Sequence, residues 1–155
     1  MRIIFQKGID GPDVLTCHRK DDSICETVLS YGSAYHDLAH FVVESKLALT
    51  EGIWGKISEG YSFDEYNLPN ETRPFPISPQ GYQAEFLATL VQSAVPTGEI
   101  SEFYVQMLRD AATTSGIPFP ELPAPSILSE LIAQAKVLTQ QWEALNPGDF
   151  LKLKF

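Results

Sequence analysis

The stretch PGDFLKLKF (147–155) decides the fold reading. After a Pro-Gly turn, Leu151, Leu153 and Phe155 alternate with Lys152 and Lys154, the two-residue period of a strand with one apolar and one solvated face. Such a strand needs a partner. At the opposite end, MRIIFQK (1–7), VLTCHR (14–19) and ICETVL (24–29) are β-rich runs separated by the turn-forming clusters GIDGPD and KDDS, which predicts an antiparallel meander. Residues 1–7 need a neighbour on their second edge. The simplest closure lays residues 150–155 beside them, so that both ends meet in one small sheet.

Between these ends the sequence predicts helices. Ser33 is placed as the N-cap of a segment from about Ala34 to Thr50, with Asp37 in its early turns, where the helix dipole favours an anion. A short helix covers IWGKISE (53–59). Residues 64–79, DEYNLPNETRPFPISP, carry four prolines and are expected as a surface loop. Ser78-Pro79 has the cap-then-proline form of a helix start, leading through YQAEFLATLVQSAV until Pro96. Thr97 is placed as the cap of a third helix ending at Gly116. Ser126, after PFPELPAP, is placed as the cap of a fourth, ILSELIAQAKVLTQQWEAL. The expected architecture is α+β: a small antiparallel sheet from the N-terminal meander and the C-terminal strand, packed against about four helices on one face. A single domain spans 1–155, since 155 residues suit one hydrophobic core.

Composition narrows the function. Eleven basic against twenty acidic residues give a net charge of −9, which repels phosphate backbones and anionic lipid over most of the surface and argues against nucleic acid as a partner. No run approaches the roughly 20 apolar residues that span a bilayer, and MRIIFQKG meets charge and glycine too soon for a signal peptide. Cys17 and Cys25 are too few for a disulfide framework and fit a reducing compartment, so a cytoplasmic location is expected. The two would sit opposite each other in one hairpin register and not in the register slipped by one residue.

One constellation carries chemistry. YHDLAHFVVESKLALTEG (35–52) holds His36, Asp37, His40, Glu44 and Glu51, and two of the three histidines of the chain. At about 100° per residue all five fall within one arc of about 100°, Glu51 included if the helix lasts that long. The rest of the helix, with Tyr35, Leu38, Ala39, Phe41, Val42 and Leu49, must be largely buried. Histidines at i and i+4 can direct two neutral imidazole nitrogens at one ion, which makes His36 and His40 candidate zinc ligands. Glu44 lies about 12 Å along the axis from His36, too far to complete one tetrahedral site. The third ligand is therefore expected from another element. His18, the remaining imidazole, is the first choice, ahead of Glu26, Glu51, Glu59 and Asp64. Glu44 is expected to orient His40, and Asp37 to occupy the place of the acid that takes a proton from metal-bound water, with a side chain one methylene shorter than glutamate. Either carboxylate can handle protons in a hydrolase. Downstream, Gly52, Gly55 and Gly60 surround Trp54 and permit close backbone approach or simply end helices. Trp54, Tyr61, Phe63 and Tyr66 either line a pocket or pack in the core. No nucleophile elbow or phosphate-binding glycine loop is present.

The stretch from YHDLAHFVVE through GIWGKISEG, with the final LNPGDFLKLKF, resembles an uncharacterised family of small bacterial proteins with an HDLxHxxVE pattern followed by a glycine-punctuated segment. The resemblance covers roughly the first sixty residues and the last strand. That family has no established activity, so the resemblance implies a working site without naming a reaction. The HDxxH core is also similar to the zinc motif of the ubiquinone-biosynthesis HDxxH family, which would map onto His36, Asp37 and His40. That motif carries a glutamate twelve positions after its second histidine, where this chain has Gly52, with Glu51 one place early. The expectation is a metal-binding protein, zinc-like, acting as a metal-dependent hydrolase on an unidentified small molecule or protein. The competing expectation is a non-catalytic assembly module whose His/Glu stripe is merely a solvated helix face.

Overall fold

Backbone pairing between the two ends of the chain organises the molecule. In a computed structural model describing residues 1–30 and 32–155, β1 (Arg2–Gln6) lies between β2 (Val14–His18) and β4 (Phe150–Lys154). A further strand, β3 (Ile24–Val28), pairs with β2, giving an antiparallel sheet in the order β3-β2-β1-β4. The register sets Ile3 between Cys17 and Leu153, and Phe5 between Leu15 and Leu151. These residues form one inward face, while the alternate positions Arg2, Gln6, Glu26, Lys152 and Lys154 face out and are exposed. The expected closure by residues 150–155 is present, and the α+β architecture with it.

The described residues form six helices: α1 (Ser33–Leu47), α2 (Ile53–Glu59), α3 (Phe63–Tyr66), α4 (Pro79–Ala94), α5 (Glu102–Thr114) and α6 (Pro125–Glu143). They build two apolar clusters that share α1. In the first, Ile3, Phe5, Leu15 and Cys17 of the sheet meet Leu38 of α1, Trp54 and Ile57 of α2, and Trp142 of α6. Phe5 stands edge-on to both indoles, with ring centroids 6.2 Å from Trp54 and 6.0 Å from Trp142, an arrangement that suits the aromatic quadrupoles. In the second, Ala39, Val42 and Val43 of α1 pack against Leu87, Ala88 and Val91 of α4 and Leu131 and Ala135 of α6. α1, α4 and α6 therefore pack against one another. α5 lies at the periphery with Ala112 its one buried residue.

Helix starts differ from expectation where a hydroxyl finds other work. Ser33 is the first helical residue, not the cap, because its hydroxyl donates to the carbonyl of Ser30, while Gly32 takes the left-handed conformation at φ 82°. Thr97 donates within its own turn, and Ser101 caps α5 by accepting from the Tyr104 amide. α6 begins at Pro125, one residue before Ser126, since a proline ring is already set for the first helical position. Ser78 does cap α4, accepting from the Gly81 amide at 3.0 Å. Residues 64–66 of the expected loop belong instead to the short α3, which is capped by a reciprocal Ser62/Glu65 capping box.

Cys17 and Cys25 face each other across β2 and β3 as free, buried thiols. Burial, helped by the adjacent Cys25, pushes the Cys17 thiol up to about 12. Since the thiolate is the reactive species, Cys17 is inert in the folded state at pH 8. A disulfide reagent such as DTNB is expected to leave it unmodified in the native protein and to titrate it fully in 6 M guanidinium, where desolvation is lifted (about 6 M being ample for a domain of this size).

Candidate metal centre

α1 and α4 run antiparallel, and their contact places the chemistry. Gln80 at the start of α4 accepts the amides of Thr50 and Glu51 just beyond α1, at 2.7 and 2.8 Å. At the other end of the pair, Gln92 reaches His36 near the start of α1. Between these ties lie His36 and His40, one turn apart on α1, and Glu85, the one charged side chain of α4. His36 Nε2 and His40 Nε2 are 3.2 Å apart, His36 Nε2 is 3.3 Å from Glu85 Oε1, and His40 Nε2 is 3.2 Å from Glu85 Oε2. His36, His40 and Glu85 form a group that can hold a metal ion. His36 is 31% and Glu85 50% exposed, so solvent reaches the group from their side.

Each imidazole is aimed by a partner on its other nitrogen. His36 Nδ1 donates to Gln92 Oε1 at 2.9 Å, and His40 Nδ1 donates to Glu44 Oε1 at 3.0 Å. With both Nδ1 atoms acting as donors, the Nε2 lone pairs converge on one point, which demands a cation there, either a proton or a metal. The electrostatics agree. Burial alone would depress the His40 imidazole, but hydrogen bonds to Glu44 and Glu85 outweigh it and bring the group up to about 9. Burial would raise the Glu85 carboxyl, yet its hydrogen bonds to His36 and His40 hold it well below the usual carboxylate range.

Glu44 is itself fixed. Wholly buried, it accepts from the amide of Ile53 at 3.1 Å through Oε1 and from that of Trp54 at 3.0 Å through Oε2, at the N-terminus of α2. Two of the orphan amides of that helix are thereby satisfied by a carboxylate at its positive end. Gly52 is what lets the chain come so close: a Cβ there would sit 2.3 Å from the Glu44 carboxyl carbon. Asp37 lies beside the group. Burial pushes its carboxyl up to about 6, opposed by the charges of His40 and His36 and reinforced by Glu85. Tyr66 of α3 stands close enough that Glu85 and Glu44 add to the effect of burial in raising its phenol.

The expected residues thus divide. His36 and His40 converge, Glu44 orients His40 as expected, and Asp37 adjoins the group. His18 is not brought there: with Cys17 in the core, the pleat turns His18 to the outer face of the sheet, between Arg2 and Ile24. Glu85 supplies the third donor instead. Glu51 lies beyond the end of α1 and, with Glu59, pairs with Lys56, while Glu26 accepts from Thr16. Asp64 sits in the first turn of α3. Neither Glu85 nor Gln92 is among the residues the sequence predicts at the site, although their spacing of seven sets them on one face, two turns apart. Comparisons with protein-family models, with curated proteins and with solved structures found no match for this chain.

Gly52→Ala is expected to displace Glu44 from the α2 amides and leave a buried carboxylate short of partners, lowering stability by about 3 kcal/mol or more. Gly11→Ala, where an added Cβ meets nothing, is the matched control and is expected to be neutral in the same urea titration.

Proposed function

We propose that this protein is a zinc-type metalloprotein with His36, His40 and Glu85 as ligands, and that it is a metal-dependent hydrolase. The observation that carries the reading is the spacing of the donors. Ligands at 2.0–2.2 Å from a tetrahedral ion lie about 3.3–3.4 Å from one another, and here the two Nε2 atoms are 3.2 Å apart, with one Glu85 oxygen 3.3 Å from His36 and the other 3.2 Å from His40. Two histidines and a glutamate are also the donor set of one class of catalytic zinc sites, which keep a fourth position open. The exposure of His36 and Glu85 supports such an opening. An ion bound there supplies Lewis acidity and makes water a nucleophile near neutral pH.

The chain's own groups do the rest. Glu44 and Gln92 fix the tautomers of His40 and His36. Asp37, with a carboxyl close to neutrality in its proton affinity, is the group that takes up a proton at the site. The likeness of HDLAH to the HDxxH zinc motif is consistent with these roles, and a reducing cytoplasmic setting is consistent with the free thiols. A solvated helix face on a non-catalytic module fits less well, because such a face is wet and His40 and Glu44 are 2% and 0% exposed.

Titration of chelator-treated protein with cobalt(II) or zinc is expected to show one equivalent bound, tetrahedral cobalt absorption, and a stabilisation of about 2.7 kcal/mol at a free metal concentration a hundred times Kd. His36→Ala/His40→Ala abolishes the effect, Glu85→Gln weakens affinity by at least about tenfold, and His18→Ala leaves it unchanged. A folded protein whose spectrum and melting are indifferent to both metals rules the reading out. On activated esters and phosphoesters, Asp37→Asn is expected to keep full metal stoichiometry while slowing turnover by about a hundredfold or more.

A further inference from the structure

The outer face of the sheet concentrates positive charge in a strongly acidic protein. Row by row, the register sets His18, Arg2 and Lys154 side by side on β2, β1 and β4, with Lys152 one step along β4. Cross-strand neighbours stand about 5 Å apart, so this row spans about 10 Å. Arg19 and Lys20 follow directly after β2, and together the six residues line an open depression of about 600 Å³. Five of the eleven lysines and arginines of the chain are here, against one lining carboxylate, Asp22.

These cations are not consumed internally. Among the described residues, ion pairs engage Lys7, Lys46 and Lys56, none of them in the depression. Arg2, Arg19, Lys20, Lys152 and Lys154 have no carboxylate at ion-pair distance among the described residues, and Lys152 lies over the ring of Phe150 with Nζ 4.3 Å from its centroid. Arg19 is held in place without being neutralised: Nε donates to the Ile57 carbonyl, one terminal nitrogen to the Tyr61 carbonyl and the other to Ser23 Oγ. Three of its five N–H groups are thus committed to neutral acceptors, leaving a preorganised positive charge at the rim. In a chain of net charge −9, uncompensated cations on one face set up a field that draws in anions and repels them elsewhere.

We infer that this depression binds a small polyanion, a molecule carrying two or more phosphate groups. The volume is that of a small-molecule site. The acidic remainder of the surface disfavours a long phosphate backbone, which would have to run past the depression on both sides. The row of His18, Arg2 and Lys154 matches adjacent phosphate groups, with Lys152 and Lys20 as mobile point charges and Arg19 as the fixed one. The site stands apart from the His36/His40/Glu85 group and does not depend on it.

The test is isothermal titration calorimetry of the full chain with inorganic tripolyphosphate, after removal of metal. The expected result is saturable binding at one site that weakens with added salt. Lys152→Glu/Lys154→Glu, both exposed, is expected to lower affinity by about tenfold or more with unchanged circular dichroism and melting of the free protein, and Lys152→Gln/Lys154→Gln to give a smaller loss. His36→Ala/His40→Ala is expected to bind as the parent does, so failure of the metal reading and failure of this one are separable. The inference is overturned by the absence of saturable heat, by undiminished binding in both lysine variants, by equal heats and stabilisation with sodium chloride at matched ionic strength, or by loss of binding in the histidine variant. A single-stranded oligonucleotide that binds more tightly than tripolyphosphate overturns the assignment to a small molecule.

Discussion

Glu44 places an anion where water is excluded, and three N–H groups converge on it: the amides of Ile53 and Trp54 and the imidazole of His40. A lone buried carboxylate is costly, whereas one that receives three hydrogen bonds at a helix N-terminus is tolerated. This single side chain joins α1 to α2, and α2 in turn delivers Trp54 to Phe5 of the sheet. The same carboxylate fixes the far side of His40. Fold and site therefore share one constraint, and the close approach it requires leaves room only for glycine at position 52.

Beyond that point the site is an interface property. α1 contributes both imidazoles, and α4 contributes the carboxylate that meets them and the amide that aims one of them. The small residues Ala39, Ala84 and Ala88 between the two helices permit the close packing that brings Glu85 to the histidines. Basic residues of the outer sheet face lie on the side away from this packing, so the two charge concentrations of the molecule occupy opposite sides of the sheet.

Much of this was legible in the residues. Alternation in FLKLK and RIIFQ is a local signal, and the pairing of these strands followed from the need to fill an edge. The helical arc of His36, His40 and Glu44 was equally local, as was Glu44's distance from His36, which assigned it to orientation. What sequence alone missed depends on which faces meet. The third donor required knowing that α4, and not β2, lies across from His36. His18 could have been set aside on local grounds, since Leu15 and Cys17 must point inward and the pleat then turns His18 out. The helix starts at Ser33 and Thr97 failed for another reason: a hydroxyl donates as readily as it accepts, and the choice is made by the neighbouring turn.

Pairing of β1 with β4 has a temporal side. β1 sits in the interior of the sheet, yet the strand that covers its second edge lies beyond all six helices in the chain. During vectorial synthesis the meander emerges first and must wait with a bare row of backbone groups on β1 while α1 to α6 are made. Contacts of such long sequence separation are slow to form. The lysines of β4 cannot guard that edge in the interim, because they arrive only with the strand itself, so the nascent protein passes through a stage in which a strand destined for the sheet interior is an open, adhesive edge.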